Sequence, residues 1–171
     1  LTDSLKTSQV TEVDFSSCGI GAVSVNHLSD WVRAATAALN SIMLDECLLT
    51  GTKIKDKGKP WEKIEQLDAD LSGFTALCSS LSSSQIVSIS MRKCYLGPQA
   101  LALLTDAIKV MAAIETIDLS GCGLTGATKH RHGHWENVDS NMDGFIALCA
   151  VLGKFRTVRL ADCGLGGGSA A

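Results

Sequence analysis

The sequence predicts an α/β chain built by repetition. Strand–helix units lie side by side, their strands forming one parallel sheet and their helices the opposite wall. Three observations carry this: five segments align on one cysteine each, helical apolar spacing fills the stretches between them, and the arrangement recurs at offsets of 76 and 75 residues. No single strand–helix unit can close a core, so neighbouring units must stack to bury their apolar faces.

The aligned segments are VTEVDFSSCGI (Val10–Ile20), LNSIMLDECLL (Leu39–Leu49), IVSISMRKCYL (Ile86–Leu96), IETIDLSGCGL (Ile114–Leu124) and FRTVRLADCGL (Phe155–Leu165). All follow apolar-x-x-apolar-x-apolar-x-x-Cys-x-apolar. In the fourth, Ile117 and Leu119 alternate with Thr116, Asp118 and Ser120, the period of two of a short strand with one buried face. The low leucine content of the first and third segments, with Val13, Phe15, Ile89 and Met91 in its place, leaves that alternation intact. Between the segments the period changes. In LGPQALALLTDAIKVMAAI, Leu101, Leu104, Ile108 and Met111 recur at spacings of three and four, one face of a helix.

Successive anchoring cysteines, Cys18, Cys47, Cys94, Cys122 and Cys163, lie 29, 47, 28 and 41 residues apart, so short and long units alternate. The extra length falls just after the cysteine segment, at about residues 51–72 and 126–143, and each insertion resumes with a related helix, SGFTALCSSL or DGFIALCAVL. Leu1 aligns with the middle of the helix holding Leu77 and Leu81, and Gly164–Ala171 resembles the start of LGPQALAL. Because end units of a stacked array need a polar cover, further repeats of a parent chain are expected at both ends, or a linker in the Gly-rich tail.

Composition agrees with one folded array over residues 1–171. The chain is 46% hydrophobic and 19% charged, enough apolar surface to offset chain entropy and to exclude a disordered polyelectrolyte. With 15 Lys and Arg against 18 Asp and Glu, no dominant field for nucleic acid or membrane is expected. Seven cysteines in 171 residues fall below the density of a disulfide scaffold, and an odd number leaves a thiol over. A reducing, cytoplasmic location is therefore expected, with no membrane span. The repeat reads all seven as small buried hydrophobes: five at one structural position, Cys78 and Cys149 at another inside matching helices.

Five units of strand, cysteine at that offset and helix, some near 28 residues long, resemble the ribonuclease-inhibitor-like class of leucine-rich repeats. The resemblance implies a right-handed solenoid, a horseshoe segment with the parallel sheet on its concave face and helices on the convex one. It also implies recognition through the concave strands. There the outward residues are Glu12, Asp14 and Ser16; Ser41, Met43 and Asp45; Ser88, Ser90 and Arg92; Thr116, Asp118 and Ser120; Thr157, Arg159 and Ala161. Glu12, Asp14, Met43, Asp45, Arg92, Asp118 and Arg159 are the expected partner contacts, on a face acidic in its first strands that then acquires arginines. An ordinary solvated face is the competing reading.

The insertions carry the other candidates. KIKDKGKPW sets Lys53, Lys55, Lys57 and Lys59 before Trp61, and KHRHGHW sets His130, Arg131, His132 and His134 before Trp135. Cations beside an aromatic suit phosphate or single-stranded nucleic acid, and the histidines suit zinc or nickel. The blander expectation is that the tryptophans pack each loop back on the array while the charges stay in water. DADLSGF and DSNMDGF imitate the start of a calcium loop through Asp68, Asp70, Asp139, Asn141 and Asp143, but Ser79 and Ala150 stand where the bidentate Glu belongs. A Ser or Asp before the Gly also serves as a helix-start cap.

GCGLTG satisfies a dinucleotide fingerprint, yet its counterparts SCGIGA, ECLLTG and KCYLGP mark it as a repeat turn. No Ser/His/Asp order or paired carboxylates can be argued, so neither catalysis nor a cofactor is expected. The expected function is a protein–protein interaction scaffold using the concave strands and projecting loops. The alternative is a ligand-regulated binder whose loops engage calcium, a transition metal or a polyanion.

Overall fold

A computed structural model describes residues 9–35, 38–59, 62–129 and 134–166. It is a mixed α/β fold around one parallel sheet. Strands β1 (Glu12–Asp14), β2 (Ser41–Met43), β5 (Ser88–Ser90), β6 (Thr116–Asp118) and β9 (Thr157–Arg159) stand in sequence order, each pairing with the next. One register runs through all four pairings, so Val13, Ile42, Ile89, Ile117 and Val158 form a single row. Helices α1 (Ala22–Ala35), α2 (Ser72–Ser82), α3 (Pro98–Val110) and α4 (Asp143–Cys149) join them, with a short 3-10 turn at Leu152–Lys154.

The cysteine motif explains the brevity of the strands. The residue before each cysteine, Ser17, Glu46, Lys93, Gly121 or Asp162, has φ between 52° and 77°, a left-handed conformation that ends the strand. The first four of these turns donate their backbone N–H to the next unit, to Asp45, Arg92, Ser120 and Ala161 carbonyls at 2.8 Å. The cysteine then turns inward and donates its thiol to the preceding unit. Cys47 Sγ reaches the Phe15 carbonyl at 3.4 Å, Cys94 that of Leu44 at 2.9 Å, Cys122 that of Met91 at 3.4 Å and Cys163 that of Leu119 at 3.2 Å. Each unit is thus bonded forward through its turn and backward through its thiol. Burial pushes the Cys122 thiol up to about 12 and raises Cys94 further.

The core lies between sheet and helices. Ile42, Leu44, Ile89, Met91, Ile117 and Leu119 from the strands meet Phe74, Leu77, Leu81, Leu101, Leu104 and Ile108 from the helices, all fully buried. Each such side chain contributes roughly 1.5–3 kcal/mol relative to exposure. In the outer strands, Val13, Phe15, Val158 and Leu160 are only half-buried.

Two expectations need correction. Cys18 and Cys149 are exposed. Cys18 belongs to the first strand of the sheet, with no earlier unit beneath it among the described residues, and α4 packs on α3 whereas α2 is flanked by both α1 and α3. The insertions, in turn, are not plain loops. Each holds an antiparallel hairpin: β3 (Lys53–Lys55) with β4 (Lys63–Gln66), and β7 (Thr128–Lys129) with β8 (Trp135–Glu136). Among the described residues, no helix is long and apolar enough to cross a membrane.

Candidate recognition surface

Two surfaces gather the candidate residues. The first is the outward face of the parallel sheet. Its register aligns Glu12, Ser41, Ser88, Thr116 and Thr157 in one row, and Asp14, Met43, Ser90, Asp118 and Arg159 in the next. Asp45 and Arg92 lie one alternate position further on. The predicted contacts therefore share one face, with Glu12, Asp14, Arg92 and Arg159 exposed and Met43, Asp45 and Asp118 half-buried.

The charges on this face are partly matched. Arg92 reaches Asp45 at 4.0 Å and Asp118 at 3.9 Å. Asp45 also accepts the Ser90 hydroxyl at 2.6 Å and the Arg92 backbone N–H at 2.9 Å. Asp14 accepts the Ser16 side chain and backbone, which hold its carboxyl below the usual range. Arg159 has no ion-pair partner among the described residues, so its guanidinium is available at the far edge.

The second surface lies at the carboxyl ends of the strands, where ligands of open α/β sheets commonly bind. The turn residues Ser17, Glu46, Lys93, Gly121 and Asp162 form its floor and the two hairpins its cover, with β4 lying against β7. Two adjoining clefts, of about 360 and 210 Å³, share Glu62, Lys93 and Tyr95. The floor is cross-linked. Ser17 Oγ donates to Glu46 Oε2 at 3.0 Å, and Lys93 Nζ to Glu46 Oε1 at 3.3 Å; together they hold Glu46 below its ordinary pKa.

Each hairpin reaches one unit forward. From the first insertion, Glu62 accepts the Tyr95 hydroxyl at 2.7 Å and the Gly58 N–H at 2.7 Å. Burial raises the Tyr95 pKa, and Glu62 raises it further. In the second, Trp135 Nε1 donates to Asp162 at 2.8 Å and Lys129 pairs with the same carboxylate at 3.0 Å, the ammonium lying 5.3 Å from the indole centroid. Burial pushes the Asp162 carboxyl up, but the indole and ammonium overcome it and leave it lowered. Trp135 also packs on Gly164, where a Cβ would come within 2.7 Å of the ring. It fastens its hairpin to the next turn, the blander of the two sequence expectations.

The acidic turns act as caps. Asp68 accepts the N–H groups of Gly97, Gln99 and Ala100 at 2.9–3.0 Å, closing the start of α3 in the next unit. Asp139 accepts from Gly166 N at 3.2 Å. Asp70 receives Ser72 N and Oγ, and Asn141 receives Asp143 N. The helix-start oxygens therefore come from Asp70 and Asn141, two residues before the Ser72 and Asp143 expected to supply them. Among the described residues, no group of three or more His, Cys, Asp or Glu could hold a metal ion.

Lys53 and Lys55 lie on β3, Lys57 and Lys59 follow in the exposed turn, and His134 is exposed beside Trp135. Trp61, His130, Arg131 and His132 lie outside the described residues. Sequence reasoning missed the floor of turn residues and the pair of Tyr95 with Glu62. The available signal was the position before each aligned cysteine. Compared with known proteins, the chain matches no family model and no curated sequence.

Proposed function

We propose that the chain is a leucine-rich-repeat array of the ribonuclease-inhibitor-like class, wound as a right-handed solenoid. In this reading it is a non-catalytic scaffold that binds another protein through its concave strand face and its two hairpins. The observation that carries the reading is the single register of five short parallel strands in sequence order, which leaves one continuous polar face. Crossovers between parallel strands are almost always right-handed, which supports the winding. Seven free thiols support a reducing compartment. The carboxylates of the insertions serve as backbone caps, which favours contact roles for the hairpins over cation binding.

The test is affinity capture followed by calorimetry on the recovered partner, with wild type beside an Asp118→Ala/Arg159→Ala variant. The variant should melt like wild type and bind at least about tenfold more weakly, a loss of about 1.4 kcal/mol. Unchanged affinity would remove the sheet face from the binding surface.

A further inference from the structure

The hairpin of the first insertion carries unbalanced charge. In its register, Lys55 stands directly opposite Lys63 and Ile54 opposite Ile64. Ile64 is buried and Ile54 half-buried, so the alternation of a strand turns both lysines to the other, exposed face. Directly opposed like charges destabilise a strand pair. Neither Lys55 nor Lys63 has an ion pair or side-chain hydrogen bond among the described residues, and Glu65 on the same strand does not come within ion-pair distance of either. Lys53, across a register shift in the pairing, is exposed as well. Lys53, Lys57 and Lys59 of the same insertion are likewise without an ion pair among the described residues, whereas the described lysines outside it are matched: Lys93 to Glu46, Lys109 to Asp106, Lys129 to Asp162, and Lys154 to the carbonyls closing α3.

We propose that the outward face of this hairpin, Lys53, Lys55 and Lys63, receives a short acidic segment of the protein partner, whose carboxylates neutralise the opposed ammonium groups. The inference rests on the reading of the hairpins as part of the recognition surface. Charge decides the class of ligand. The chain is net negative, and Glu46 and Glu62 line the cleft beside the hairpin turn. Attraction between exposed charges fades beyond about 8 Å at physiological salt, so the hairpin draws only a local cluster of carboxylates. A polyphosphate chain would run onto like charge. The described aromatics of the clefts beside the hairpin are tied down, Tyr95 to Glu62 and Trp135 to Asp162 and Gly164, so neither offers an open platform for stacked bases.

Fluorescence anisotropy of a labelled oligoglutamate peptide, titrated with the full chain at low and physiological salt, tests this. An oligothymidylate of equal charge serves as the comparison. The peptide should bind more tightly than the oligonucleotide and weaken with salt, and Lys55→Glu/Lys63→Glu should reduce its affinity at least about tenfold. Lys109→Ala, on α3 and outside both surfaces, should leave peptide binding unchanged. If the charge reversal perturbs folding, Lys55→Ala/Lys63→Ala carries the comparison. Tighter oligonucleotide binding, no peptide binding, or lysine variants with wild-type affinity would overturn the proposal. Loss of the protein partner in the Asp118/Arg159 variant alongside such a result would leave the scaffold reading standing and remove only the hairpin assignment.

Discussion

The two insertions begin from related positions and end differently. Both leave the sheet after a cysteine turn, fold into a hairpin, cap a backbone N–H of the following unit with an Asp, and return through a helix that opens on glycine. The second is fastened inward, Lys129 and Trp135 sharing the Asp162 carboxylate. The first is anchored through Glu62 and Tyr95 and turns Lys55 and Lys63 outward without counter-charge. The frame fixes where an insertion goes and how it is tied down. Its outward face is unconstrained by the fold and can be shaped to a partner.

The common frame is the strongest part of that comparison and the easiest to break. Leu119 is fully buried between sheet and helices, and Leu119→Ala should cost about 2–5 kcal/mol in a single cooperative denaturant transition. A variant melting near wild type would mean that the strands do not share one core.

The glycines opening the two helices sharpen the comparison. A Cβ at Gly73 would lie 2.1 Å from the Ala22 carbonyl oxygen, and one at Gly144 would lie 2.6 Å from that of Pro98. Gly73→Ala should therefore destabilise by about 1–3 kcal/mol and Gly144→Ala by less. Equal melting temperatures would show that the first insertion is held no more closely than the second.

A smaller effect is expected at the cap between units. Asp68→Ala strips three N–H groups at the start of α3 of their acceptor and should cost about 0.5–2 kcal/mol. Faster amide exchange at Gln99 and Ala100 would check it; unchanged exchange would deny the cap its role.

The smallest effect depends on pH. The folded Asp162 carboxyl lies below its unfolded pKa, so its contribution is complete above the ordinary carboxylate range and is lost as pH falls through the lowered value. Asp162 is exposed, so Trp135→Phe should lose at most about 1 kcal/mol through this group. The difference in melting temperature from wild type should shrink as pH is lowered through that range. A pH-independent difference would assign the whole effect to lost ring packing on Gly164.

The strands were legible because each carries the same alternation ahead of the same cysteine, and the helix of Leu101, Leu104, Ile108 and Met111 because its stripe is long. The hairpins were not. β3 and β4 are three and four residues long, too short for a period of two to stand out, and their lysines disguise strands as a solvated loop. The floor of the carboxyl-end clefts was hidden for another reason. Ser17, Glu46, Lys93, Gly121 and Asp162 share a backbone conformation rather than a chemistry, and only Gly121 advertises it. The contact of Tyr95 with Glu62 spans 33 residues and follows from how far forward a hairpin reaches, which no local pattern encodes. The alternate residues of the strands share one face in the structure, since a face once fixed by buried neighbours leaves its alternates no choice.

The sulfur column has a further consequence. Cys47, Cys94, Cys122 and Cys163 sit in the interior with their protons held by the adjacent backbone, while Cys18 and Cys149 meet solvent. A thiol-reactive label should mark the two exposed sulfurs at once and each enclosed one only when its own rung swings open. Followed by mass spectrometry, the order of labelling would become a clock for fraying, read one unit at a time without any added probe.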